Sequence, residues 1–125
     1  MIDYVANDPA ARTLVAQLIG EGIAISIITY IELAEGVLRS PNAASESELA
    51  DLGAAIPILP VTLATGEICA RIRNSLRQQG KRVRPRALDL LIASTAIEHG
   101  LTLVTRNLGD YSDIPGLGLH RPEPS

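Results

Sequence analysis

Apolar positions along the chain recur with two different periods. Ile23-Ala24-Ile25-Ser26-Ile27-Ile28 is a nearly continuous β-branched run, which predicts a strand covered on both faces, as in parallel sheets. Ahead of it, Asp8 can cap a helix and Pro9 suits a first turn. Leu14, Val15, Leu18 and Ile19 then form one buried face, and Gly20 to Gly22 ends it. A second helix is predicted from Thr29 or Tyr30 to about Leu38, stopped by Ser40-Pro41-Asn42, and a third from about Ser45 to Ala54. Pro57 to Val61 reads as a short strand. Thr62 to Gln79 follows as a long helix with Ile68, Ile72, Ser75, Leu76 and Gln79 along one side and Gly80 as its stop. Beyond a basic loop, a helix runs from about Arg86 to His99 and is closed by Gly100. Leu101 to Thr105 is a further strand, the turn-rich Arg106 to Asp110 follows, and another strand lies near Leu117 to His120.

Strands alternating with helices predict right-handed crossovers, hence an α/β domain with a mostly parallel sheet. In such sheets, sites form outside the carboxyl ends of the strands. Residues 1–125 read as one domain with a short tail from Pro122 to Ser125.

Composition narrows the functional classes. The core must be aliphatic, because the chain has no Trp or Phe and only three Tyr, and this argues against base stacking as the main route to a nucleic acid. The single cysteine, Cys69, excludes an internal disulfide, and no Cys/His cluster stands at zinc spacing. These features point to a reducing cytoplasm. The amino terminus lacks the pattern of a secretion signal, and no apolar run reaches the roughly 20 residues that span a bilayer, so no membrane association is expected. A net charge of −3 repels bulk nucleic acid weakly, so phosphate contacts would have to come from a local patch. Lys81, Arg82, Arg84 and Arg86 supply one; a solvated loop is the alternative.

Four residues carry the candidate chemistry. Asp89 lies in Ala87-Leu88-Asp89-Leu90-Leu91-Ile92-Ala93, near the start of a helix whose other residues call for a core. A buried carboxylate is costly unless paired or bound to a cation. The plain alternative is an ion pair with Arg86. Glu32 follows the strand Ile23 to Ile28, where a parallel sheet delivers side chains to a site, yet Thr29-x-x-Glu32 is also a capping-box pattern. Asn107 and Asp110 occupy the loop after Leu101 to Thr105 and are, taken singly, ordinary turn formers. Together, oxygen ligands converging from several strand ends suit a hard cation such as Mg²⁺ or Mn²⁺. His99 at a helix end reads as a dipole partner, His120 lies near the tail, and Cys69 reads as a core residue.

These residues resemble three motifs of the PIN-domain family. Ile25-Ser-Ile-Ile-Thr-Tyr-Ile-Glu32-Leu-Ala-Glu-Gly36 is similar to its strand, threonine and glutamate. Asp89-Leu-Leu-Ile-Ala-Ser-Thr-Ala96 is similar to its acidic helix. Leu103-Val-Thr-Arg-Asn107-Leu-Gly-Asp110-Tyr111 is similar to its last motif. The resemblance, strongest to VapC-like toxins, covers nearly the whole chain. It implies a three-layer α/β/α PIN-like fold and an Mg²⁺-dependent ribonuclease toxin neutralised by a cognate antitoxin. Glu32 and Asp89 would be metal ligands, Asn107 would take the fourth site position, and Asp110 would be an accessory carboxylate. It also implies an RNA substrate and a homodimer. The family opens with a strand ending in Asp-x-Ser/Asn, whereas Met1-Ile2-Asp3-Tyr4 matches a later segment, so the first strand and its acid are expected to be missing from the sheet's centre. A start placed too late, an altered site, or a truncation leaving an inactive binding module each account for that.

Overall fold

The computed structural model describes residues 4–6 and 22–121, the first three as backbone. Strands β1 (Tyr4–Ala6), β2 (Ile23–Ser26), β3 (Ile58–Leu59), β4 (Thr102–Val104) and β5 (Gly118–His120) form one sheet in the order β3-β2-β1-β4-β5. Every pairing is parallel. Helices α1 (Ile27–Arg39), α2 (Ala43–Ala55), α3 (Leu63–Gln78) and α4 (Ala87–Glu98) connect them, with single 3₁₀ turns at Arg84–Arg86 and Leu108–Asp110. Among the described residues no helix is long and apolar enough to cross a membrane.

The register assigns the helices to layers. Val5 pairs with Ala24 on one side and Leu103 on the other, so Ala24 and Leu103 share a face, while Ile23 and Ile25 point to the opposite one. Ile23 and Ile25 pack with Leu33 and Ile56, under Tyr30, Leu49 and Leu52 of α1 and α2. Leu103 packs with Cys69, Ile72, Leu76, Leu90, Ala93 and Ala96 of α3 and α4. The result is the expected three-layer α/β/α arrangement. Cys69 is buried, as expected of a core residue.

The expectation of an empty central position is corrected. Tyr4–Ala6 fills it, hydrogen-bonded in parallel to β2 and to β4. A parallel ladder is satisfied by backbone groups alone, so a segment of only three residues can complete it when the neighbouring strands leave unpaired donors and acceptors. The predicted helix between Asp8 and Gly20, and the tail from Pro122, lie outside the described residues.

A second correction concerns the end of β2. The strand stops at Ser26, and α1 begins at Ile27, ahead of the predicted start at Thr29. The Ser26 hydroxyl accepts from the Thr29 N–H at 3.1 Å and donates to the Thr29 hydroxyl at 3.2 Å. This side-chain cap outweighs the strand preference of Ile27 and Ile28. It also takes the Thr29 N–H and centres the cap on Ser26, so Glu32 is not needed to finish the helix start. The other limits differ from expectation by a residue or two, as helix ends do.

The glycine stops behave as predicted. Gly80 has φ +77°, Lys81 N–H donates to Leu76 C=O, and Gly80 N–H to Arg77 C=O. Gly100, at φ +65°, repeats this with Leu101 N–H to Ala96 C=O and Gly100 N–H to Ile97 C=O. Both are Schellman closures, which need a left-handed residue. The start of α3 is tied to the end of α4, since Thr62 and Thr65 hydroxyls both donate to the Glu98 carboxylate.

Candidate active site

The site is built at the carboxyl edge of the sheet, where β2 and β4 flank β1. Glu32 is carried there one turn into α1, which leaves β2 directly through the Ser26 cap. Asp89 is carried by the first turn of α4, where a negative charge is favoured by the helix dipole. α1 and α4 are in contact. The Glu32 carboxyl is raised from its ordinary value, first by partial desolvation and then by the negative charges of Asp89 and Glu35. Glu32 and Asp89 therefore sit within electrostatic reach of each other.

Asp89 is half-buried, and Tyr111 donates its phenolic hydrogen to Asp89 Oδ1 at 3.1 Å. The alternative reading, an ion pair between Asp89 and Arg86, is not the arrangement adopted. Arg86 instead grips Asp113 with both terminal nitrogens, Nη1 to Oδ2 at 2.9 Å and Nη2 to Oδ1 at 2.7 Å, and donates from Nη2 to the Asp110 carbonyl at 2.8 Å. Lys81 Nζ joins at 2.8 Å from Asp113 Oδ2. A bidentate fork satisfies the guanidinium better than one carboxylate on the same helix turn could. The hydrogen bond from Arg86 keeps the Asp113 carboxyl well below the ordinary carboxylate range, with Lys81 adding to it. Arg86 itself is raised, first by that hydrogen bond and further by the charges of Asp113, Asp110 and Asp89, against some desolvation.

The predicted RNA-binding run is thereby divided. Lys81 and Arg86 are committed to Asp113, whereas Arg82 and Arg84 are exposed and form no ion pair among the described residues. Asn107 and Asp110 are exposed on the turn after β4. The Thr105 hydroxyl accepts from Asn107 N–H at 3.1 Å, and Asp110 N–H donates to Asn107 C=O at 3.0 Å. Their turn-forming role is thus realised. Asp110 contributes its charge to the neighbourhood of Arg86, alongside Asp89.

Among the described residues, no group of three or more His, Cys, Asp or Glu side chains converges closely enough to hold a metal. The carboxylates of Glu32 and Asp89, each within reach of the other's charge, are of the type that suits Mg²⁺, which keeps several waters and is commonly held by one or two carboxylates with substrate phosphates. Sequence reasoning gave no role to Tyr111 or Asp113. The signal available for Tyr111 was a phenol at a position where an aromatic ring alone would fill the core.

A stability effect follows from Glu32. A carboxyl whose folded-state pKa is raised contributes stability only while protonated, and loses it as pH rises through that pKa. At neutral pH the metal-free protein therefore carries a penalty. Glu32→Gln is expected to raise the metal-free melting temperature by a few degrees at most, since the group is largely solvated, and the gain should shrink as pH falls toward the ordinary carboxylate range. Melting curves from pH 4 to 8 check this.

Fold and site together define a parallel α/β protein with a carboxylate pair at the carboxyl edge of its sheet, beside an Arg-Asp-Lys clasp. Residues 1–116 match the PIN domain family, and the chain belongs to it. It is 38% identical over 120 residues to "Ribonuclease VapC19" of Mycobacterium tuberculosis, covering 93% of this chain and 90% of that protein. Its backbone is similar to that of VapBC2 from Rickettsia felis, solved bound to a promoter DNA fragment, with a TM-score of 0.79 and 28% identity, covering 98% of this chain and 100% of that one. It is also similar to VapBC-5 from Mycobacterium tuberculosis, a member of the VapBC family of toxin-antitoxin systems, with a TM-score of 0.71 and 25% identity, covering 97% of this chain and 98% of that one.

Proposed function

We propose that this chain is a ribonuclease toxin of the VapC type, which hydrolyses RNA phosphodiesters with Mg²⁺, or Mn²⁺ in its place, and is restrained by a cognate antitoxin in the cytoplasm. The observation that carries this reading is that Glu32 and Asp89 stand on two contacting helices, within reach of each other's charge, in a chain 38% identical to "Ribonuclease VapC19". Glu32 and Asp89 would hold the cation. A cation held there would supply Lewis acidity toward the phosphate oxygens and would lower the pKa of a water, so that hydroxide is available as the nucleophile near neutral pH. The protein's own part is to bind and orient. Asp89 and Glu32 carry the negative charge that attracts the cation, and Asp110 adds an accessory carboxylate near Arg86. Asn107 offers an amide at the fourth position.

Arg82 and Arg84 supply phosphate contacts that a purely acidic site would lack. Replacing both with Gln is expected to weaken RNA binding about tenfold and to lower the salt slope by about two, measured as affinity against salt concentration. An unchanged slope would mark the run as a solvated loop. The partners on this reading are structured RNA, an antitoxin of the kind found in VapBC complexes, and a second copy of the chain in a homodimer. Light scattering of the purified protein tests the last of these.

The decisive experiment is incubation of the purified chain with RNA, with and without Mg²⁺ or Mn²⁺ and with a chelator. Metal-dependent cleavage that a chelator abolishes is expected. A second reading, an inactive PIN-like module that keeps antitoxin or RNA binding, draws on the two-carboxylate donor set. It predicts a melting temperature indifferent to Mg²⁺, because a ligand that binds only the folded state must raise it.

A further inference from the structure

Tyr111 is 1% exposed, and its ring belongs to the same core cluster as Leu90, Ala93 and Leu103. A phenylalanine there would fill the space without a polar atom to satisfy. Tyrosine instead brings a hydroxyl that must find a partner, and it donates to Asp89 Oδ1 at 3.1 Å. That bond is held from both sides. The 3₁₀ turn Leu108–Asp110 delivers Tyr111, whose N–H donates to Leu108 C=O at 3.0 Å. Directly after it, Asp113 is seized by Arg86 and Lys81, and Arg86 also takes the Asp110 carbonyl. Arg86 is the N-cap residue of α4, the helix whose first turn carries Asp89. The segment from Leu108 to Asp113 is therefore fastened to the start of α4 at two points, an ion pair at Arg86 and a phenol hydrogen bond at Asp89.

We propose that Tyr111 is a positioning residue for the reaction: its hydroxyl pins one oxygen of Asp89 and so fixes the orientation in which the other is presented to a cation. This rests on the reading of Asp89 as a cation ligand. The physical reason is that an aspartate's terminal torsion is broad, so an unpinned carboxylate must be ordered each time a cation binds. A donor fixed by a buried ring removes that cost in advance. Outer partners of this kind are commonly worth about 10–100-fold in metal affinity.

The test compares wild type, Tyr111→Phe and Tyr111→Leu as full-length chains. Mn²⁺ affinity is measured by calorimetry, the metal-free melting temperature by circular dichroism, and RNA cleavage as a function of Mn²⁺ concentration. Tyr111→Phe keeps the ring and is expected to melt close to wild type. Its Mn²⁺ affinity should fall about tenfold, with cleavage recovered at raised Mn²⁺, the behaviour of a lost outer partner. Tyr111→Leu, which loses the ring, should melt lower as well. A purely structural tyrosine would show the lower melting temperature in Tyr111→Leu while Tyr111→Phe kept wild-type Mn²⁺ affinity, and that result overturns the proposal. Wild-type uptake of Mn²⁺ matched by Tyr111→Phe sinks this inference alone. A wild type that takes up no Mn²⁺ sinks the cation reading and this inference with it.

Discussion

Asp89→Asn is expected to fold normally and to lose at least about a hundredfold in Mg²⁺-dependent RNA cleavage, more than the loss of an outer partner would bring. The substitution is nearly isosteric. Its amide oxygen can still accept the Tyr111 hydrogen bond, so the loop from Leu108 to Asp113 keeps both of its fastenings. What disappears is charge. On the proposed reading the cation would lose one of its two carboxylates, and nothing neutral replaces that attraction in water. Stability should change little, because the lost interaction with the helix dipole, about 0.3–1 kcal/mol, is opposed by relief of the repulsion that raises Glu32. Cleavage of RNA by the variant at the wild-type rate, with an unaltered melting curve, would remove Asp89 from the site.

The opposite pattern is expected one residue further on. Leu90 has no exposed surface and packs in the cluster between the sheet, α3 and α4. Leu90→Ala should cost about 2–5 kcal/mol, the transfer of the lost methyl groups plus the cavity they leave. Against the roughly 5–15 kcal/mol that holds a typical domain folded, this is a large share. The melting temperature should fall by about 10–20 °C. Urea unfolding with an unchanged slope and a lowered midpoint would attribute the loss to the native core. Below its melting temperature the variant should still cleave RNA. A midpoint unaltered by the substitution would mean that the interior collapses around the smaller side chain. Neighbouring residues on one helix turn thus separate chemistry from packing, because α4 turns Leu90 into the core and leaves Asp89 at the edge.

Much of this arrangement was legible in the sequence, and for a common reason. The run Ile23 to Ser26, the apolar stripe of α3 with Ile72 and Leu76, and the glycines at 80 and 100 are short-range signals, written within a few residues by side-chain periodicity and backbone sterics. Parallel topology followed from the alternation of elements. Even the start of α1 was encoded locally, in Ser26, although the β-branched residues after it spoke for a strand.

Tertiary structure alone decided the rest. Tyr4–Ala6 is too short to declare a strand by itself, although Tyr and Val favour one, and it is a strand because β2 and β4 present ladders on either side of it. Arg86 had a candidate partner one turn away in Asp89 but takes Asp113, 27 residues along the chain, whose two oxygens match its fork. Asp89 receives its hydrogen bond from Tyr111, 22 residues away, and Glu32 feels a charge from a different helix. Hydrogen bonds and Coulomb forces depend on distance in space, whereas periodicity and capping depend on distance along the chain. The residue types and the edge on which they stand were therefore written in the sequence, and the pairing among them was settled only when the layers packed.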